Sequence, residues 1–148
     1  MAESKKYNYN FAVGRRKAAI ARVRLYVNFS ENLTLGGVEV KKGDIFVNDK
    51  KIENYFSGLS ARAAFEEPFK ITNTLGKYTI SVKVEGGGQK SQLEALIHAV
   101  SRALSALDEK NKHILKKKGF LTRDARVRER RKVGMGGKAR RRRQSPKR

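Results

Sequence analysis

The residues in this chain that could do chemistry are almost all cations. "GRRK" (14–17) runs directly into Arg22 and Arg24. Arg16, Arg22 and Arg24 share parity, so a strand reaching back to Arg16 would align them as one basic ridge. A guanidinium presents a planar fork that suits phosphate oxygens. His98 and Arg102 sit one helical turn apart on a polar face, which suits stacking or phosphate contact better than catalysis. His98 and His113 are the only histidines. Neither has a second His, a Cys or a carboxylate at metal-ligand spacing, so no metal site is expected. Glu66-Glu67 and Asp108-Glu109 are adjacent carboxylates, and neighbours on a helix point apart, which makes them poor acid/base pairs. "GGGQKS" (86–91) lies where a phosphate-binding loop would lie. The nucleotide signature needs Gly directly before Lys and another five residues earlier, and here those positions are Gln89 and Val84. What remains is a turn needing positive φ angles, followed by a helix N-terminus whose N–H groups could face a backbone phosphate. No nucleophile–base set is present. The expectation is a non-enzymatic protein with no cofactor and no small-molecule substrate.

The charge says what such a protein would need. The chain has 148 residues and a formal net charge of +21. Residues 1–112 carry a net +7 and residues 113–148 a net +14, so two thirds of the excess sits in the last quarter. Positive charge at that density repels itself, and an acidic partner relieves it. The tail "KARRRRQSPKR" (138–148) has no Leu, Ile, Val or Phe to anchor in a lipid interface, which leaves nucleic acid as the favoured partner. Phosphate contacts do not distinguish the sugar, so a histone-like architectural DNA-binding protein is the alternative. A nuclease would need a metal-ligand cluster that the sequence lacks. There is no Cys, no secretory pattern at the start and no run of membrane-spanning length, so the expected location is cytoplasmic.

These cations must be held by a small α+β domain. "AAIARVRLYV" (18–27) alternates as a strand, preceded by a short strand candidate with a turn at Gly14. The stretch 28–43 reads as a long loop or extended hairpin in which "GVEV" pairs briefly. "DIFVNDKKI" (44–52) reads as strand, turn at Asn48-Asp49, strand. "SGLSARAAFEE" (57–67) fits a helix stopped by Pro68. "KYTISVKVE" (77–85) is the clearest strand, with Tyr78, Ile80, Val82 and Val84 on one face. In 89–110, Leu93, Leu96, Ile97, Val100, Leu104 and Leu107 form one apolar helical stripe. A second short helix spans 111–119, with Asp108-Glu109 placed at its start and Gly119 at its stop. From Thr122 the apolar periodicity ends. The expected architecture is a two-layer domain, 1–121, of mostly antiparallel sheet with helices on one face, followed by an extended polybasic tail, 122–148.

Several stretches carry more than a class: "GRRKAAIARVRL" (14–25), "VN" with "IENYF" (47–56), the triple glycine followed by Gln92, "HAVSRAL" (98–104), "GFLTRDAR" (119–126), and "RRKVG…KARRR" ending in Lys-Arg. Together they resemble the ribosomal small-subunit protein nine family, bacterial type. The match runs in order from Tyr9 to Arg148. The resemblance implies a domain like the second domain of ribosomal small-subunit protein five, bound to ribosomal RNA in the head of the small subunit beside neighbouring ribosomal proteins. It implies RNA contacts by Arg15, Arg16, Lys17, Arg123, Arg126 and the stretch Lys138–Arg143, which includes Arg140, Arg141 and Arg142. It also implies that Lys147 and Arg148 approach the anticodon stem-loop of the peptidyl-site tRNA. The chain departs from the family pattern in four places. Ser91 precedes Gln92 where Gly is usual, Ile97 precedes His98 where Arg is usual, and Ser145-Pro146 replaces the aromatic of the tail. The 28–43 loop is about ten residues longer than the family's, as a surface insertion would be.

Overall fold

The computed structural model describes residues 9–27, 34–35 and 38–130. Its elements are β1 (Tyr9–Arg16), β2 (Ala19–Tyr26), β3 (Thr34–Leu35), β4 (Val38–Glu39), β5 (Ile45–Val47), β6 (Lys50–Lys51), α1 (Ile52–Tyr55), α2 (Leu59–Ile71), β7 (Thr79–Glu85), α3 (Gln89–Leu107) and α4 (Glu109–Lys117). Alternation in β2 and β7 makes the centre. Val23 and Leu25 pair with Val82 and Ile80, and all four are buried on one face. The five-stranded sheet runs β1-β2-β7-β5-β6 and is antiparallel except where β5 lies parallel to β7. The predicted "GVEV" pairing is present as the two-residue β3–β4 ladder. The turn at Asn48-Asp49 has both residues at positive φ, 47° and 64°, as a tight two-residue hairpin requires.

The helices cover one face of this sheet. The stripe of α3 buries Leu96, Val100 and Leu104 completely, and Leu93, Ile97 and Leu107 pack against the same core. A second row, Ala95, Ala99 and Ala103, is also fully buried. The stripe of large residues does not announce these alanines. They matter because α3 packs chiefly on β1 and β2, where side chains must be small for the backbones to come close.

Gly14 does not form the expected turn. It lies inside β1, paired with Ala21, and the hairpin turn falls at Lys17-Ala18, with Lys17 at φ 50°. The physical reason is contact. A Cβ on Gly14 would overlap the Ala95 carbonyl oxygen and come within 2.6 Å of the Ala99 nitrogen. Glycine is there to let the strand touch the helix backbone.

Pro68 does not stop α2, which continues to Ile71. A mid-helix proline forfeits a backbone hydrogen bond. Here its ring is fully buried, and buried Phe65 and Phe69 lie on the same helix, so packing offsets the loss. The last turn is steadied by the Thr72 hydroxyl, which donates to the Pro68 carbonyl at 2.9 Å. The break between the last two helices comes slightly earlier than the periodicity suggests. α3 ends at Leu107, and Asp108 caps α4 by accepting from the Lys110 N–H at 3.0 Å.

Replacing Gly14 with Val should cost at least about 2 kcal/mol in chemical denaturation, because the added atoms meet backbone and not a flexible side chain. Lys83→Ala, exposed on the other face of the sheet, should stay within about 0.5 kcal/mol.

Candidate nucleic-acid interface

The face of the sheet away from the helices carries the cations. Paired strand residues share a face, so β1–β2–β7 registers Phe11 with Arg24 and Ser81, and Val13 with Arg22 and Lys83. Arg15 and Ile20 make the next row. At the far end the face is closed over, since Tyr26, Thr79 and Phe46 are buried. At the near end Arg15, Arg22, Arg24 and Lys83 are exposed. Glu85 stands among them, and its carboxylate accepts both arms of the Arg22 fork at 3.3 and 3.1 Å. Arg24 lies 5.4 Å from the centre of the Tyr9 ring, a cation–π contact.

Arg16 does not join this ridge. The strand bearing Arg22 begins at Ala19, and Arg16 ends the preceding strand on the opposite, helix-covered face. There its guanidinium is fully engaged. Nε donates to Glu94 of α3 at 2.6 Å, Nη1 to the Arg126 carbonyl at 2.6 Å, and Nη2 reaches Asp124 at 3.0 Å. The side chain is only 11% exposed. Asp124 in turn accepts from the side chain and the backbone N–H of Arg126. Those contacts, with Arg16 behind them, hold the Asp124 carboxyl well below the usual carboxylate range. Packing against the core ends at Phe120 and Leu121. Arg16 then clasps the next few residues and fixes the direction in which the chain leaves the domain.

The remaining expected positions divide similarly. Arg102 is exposed, but it spends one N–H on the Val13 carbonyl at 2.5 Å, tying α3 to β1. Lys17 and Arg123 are exposed. His98 is half-buried beneath the 119–126 segment in a groove lined also by Arg15, Ile97 and Phe120. Its Nδ1 is buried without a hydrogen-bond partner. Burial lowers its pKa, and repulsion from Arg102 and Arg123 adds to this. The Leu121 main chain favours the charged form without bonding Nδ1. Lys138, Arg140, Arg141, Arg142, Arg143, Lys147 and Arg148 lie outside the described residues.

A second network ties the sheet to the glycine turn. Asn48 bridges β5 to β7, donating to the Val84 carbonyl and accepting from the Val84 N–H, both at 2.9 Å. The Tyr55 hydroxyl donates to Gln92 at 3.0 Å, and Gln92 donates to the Gly86 carbonyl at 3.0 Å. These bonds pin the glycine turn, where Gly86 and Gly87 have the positive φ angles expected of them. The signal was present in "VN", "IENYF" and Gln92, but only three-dimensional pairing reveals what the residues share.

Comparison with known proteins puts this basic α+β body among the ribosomal proteins. The family model described as "Ribosomal protein S9/S16" matches residues 14–148. A "Small ribosomal subunit protein uS9" from Maridesulfovibrio salexigens is 43% identical over 130 residues, covering 88% of this chain and 90% of the relative. One of the same description from Lawsonia intracellularis is 41% identical over 127 residues, covering 86% and 88%. The chain belongs to the ribosomal protein S9/S16 family, as a structural protein of the small ribosomal subunit and not an enzyme.

Two measurements check the site. Arg16→Met keeps the bulk of the stem and removes the fork. It should cost about 1–2 kcal/mol, discounted for the partly exposed partners, and should speed amide exchange at Ala125 and Arg126. The His98 value lies below the unfolded value of 6.5, so the unfolded chain binds more protons. That contribution to stability is complete above about pH 6.5 and is lost as the pH falls toward the folded value. Melting temperature should therefore drop between about pH 7.5 and 5.5, and the drop should be smaller in His98→Gln.

Proposed function

We propose that the protein binds ribosomal RNA of the small-subunit head through backbone phosphates, and that its basic C-terminal segment carries two cations to the peptidyl-site tRNA. The observation supporting the first part is the open sheet face, where, among the described residues of β1, β2 and β7, Arg15, Arg22, Arg24 and Lys83 stand with one carboxylate, Glu85. Lys83 faces Arg22 directly, and like charges across a strand pair cost stability that a polyanion would relieve. Lys17, Arg123, Lys138 and Arg140–Arg143 extend the same chemistry. Arg16 supports it indirectly by aiming the tail. The histone-like DNA-binding alternative is not favoured by the family match.

For the tail, the support is reach and charge. Residues 1–121 act as the rRNA-binding domain and residues 122–148 as the extended arm. Those 27 residues span up to about 90 Å when extended. Arg140–Arg143 neutralise rRNA phosphates along the way, offsetting the entropy of ordering the arm. Pro146 fixes one φ and biases Ser145 to extended geometry, directing Lys147 and Arg148 outward. Their role on the cytoplasmic ribosome is a modest bias on tRNA retention, because an exposed charge pair contributes little.

One set of binding experiments tests both parts. If about 8 phosphates are neutralised, affinity of the free protein for head-domain rRNA should fall on the order of 10³-fold or more between 50 and 200 mM salt. A flat salt dependence overturns the rRNA reading. Deleting Lys147 and Arg148 should leave subunit assembly intact and raise the dissociation rate of peptidyl-site tRNA a few-fold, about 1 kcal/mol or less. Unchanged dissociation from normal subunits removes the tRNA role and leaves the rRNA role standing.

A further inference from the structure

We infer that Phe11 is a stacking platform for an unpaired nucleobase of the bound RNA. This rests on the rRNA-binding reading and adds a specific site to it. Phe11 lies on the outermost strand and is 56% exposed. Among the described residues no ring or cation sits against it. The neighbouring Tyr9 differs, since its ring is already engaged by Tyr26, at a centroid distance of 5.8 Å, and by Arg24. Among the described residues of this face, Phe11 is therefore the aromatic ring left open.

Its surroundings decide what would cover it. Arg24 is directly across the strand pair, and Arg22 is the diagonal neighbour, both exposed. Arg15 and Lys83 complete the patch. A protein partner burying Phe11 would have to desolvate these cations, and charged residues are depleted from the cores of protein interfaces. A single-stranded nucleotide supplies both complements, a π face for the ring and a phosphate for the guanidinium. A paired A-form helix does not, because its base faces are occupied by stacking. The occupant is thus a loop or bulge nucleotide.

The test uses the full chain and a head-domain rRNA fragment. Phe11→Ala should weaken binding about tenfold while the salt slope stays that of wild type, since stacking releases no counterions. Phe11→Leu keeps apolar bulk but loses the π face, and it should be weakened similarly. Phe11→Tyr should bind like wild type. Ultraviolet cross-linking should attach a nucleotide to the peptide containing Phe11. Matching thermal melts across the variants make these differences readable as binding. If Phe11→Leu binds like wild type, the contact is apolar packing and the proposal fails. If all variants bind normally but Phe11→Ala enters the subunit poorly, a protein neighbour covers the ring and the proposal also fails. In both cases salt-dependent binding by wild type leaves the rRNA reading intact. Absence of wild-type binding overturns that reading itself.

Discussion

The close approach of β1 to α3 at Gly14 sets everything else. Only a residue without Cβ lets the strand meet the Ala95 and Ala99 backbone. That contact fixes the height and rotation of the helix over the sheet. It brings Glu94 beside Arg16 two residues along the strand and puts Arg102 within reach of the Val13 carbonyl. It also leaves the other face of β1 and β2 with nothing from α3 upon it. The buried alanine row and the exposed arginine row are consequences of the same packing distance.

From this follows a division of labour among cations that look alike in sequence. Arg15 and Arg16 are adjacent, and in a strand adjacent side chains point to opposite faces. Arg15 faces solvent, while Arg16 is 11% exposed and holds three oxygens at once. A guanidinium with its fork filled has little left for phosphate. What it does instead is hold the chain from Asp124 to Arg126 against the body, just past the last residues that pack on the core.

Much of the fold could be read from the sequence because it is written in short-range periods. The period of two in 79–85 and the helical stripe of α3 each needed only neighbouring residues to be recognised. The misreadings at Gly14 and Pro68 share a cause. Both residues break secondary structure locally, and both are retained inside an element by contacts from far along the chain. The cationic face was legible for Arg22 and Arg24, because β2 itself places them. Arg16 was misplaced because a two-residue turn at Lys17-Ala18 separates it from that strand and reverses which face it joins. The Asn48, Tyr55 and Gln92 bonds and the Glu94–Arg16–Asp124 clasp span tens of residues of sequence, and no local pattern encodes them.

The arrangement explains how so small a body can tolerate so much positive charge. Carboxylates are spent where a cation must be held still: Glu94 and Asp124 on Arg16, Glu66 between Arg62 and Lys70, and Glu109 on Lys112. Exposed pairs of this kind add little stability; they balance the charge of α2, while α4 keeps an excess of cations, Lys110, Lys112, Lys116 and Lys117 against Glu109. On the open face of β1, β2 and β7, Glu85 is one carboxylate among the four cations Arg15, Arg22, Arg24 and Lys83, and exposed Lys51 of β6 lies on the same face. A polyanion lying on that open face would relieve the repulsion between its cations. Binding and relief of repulsion would then be the same event, a physical reason for a ribosomal protein to leave such a face open.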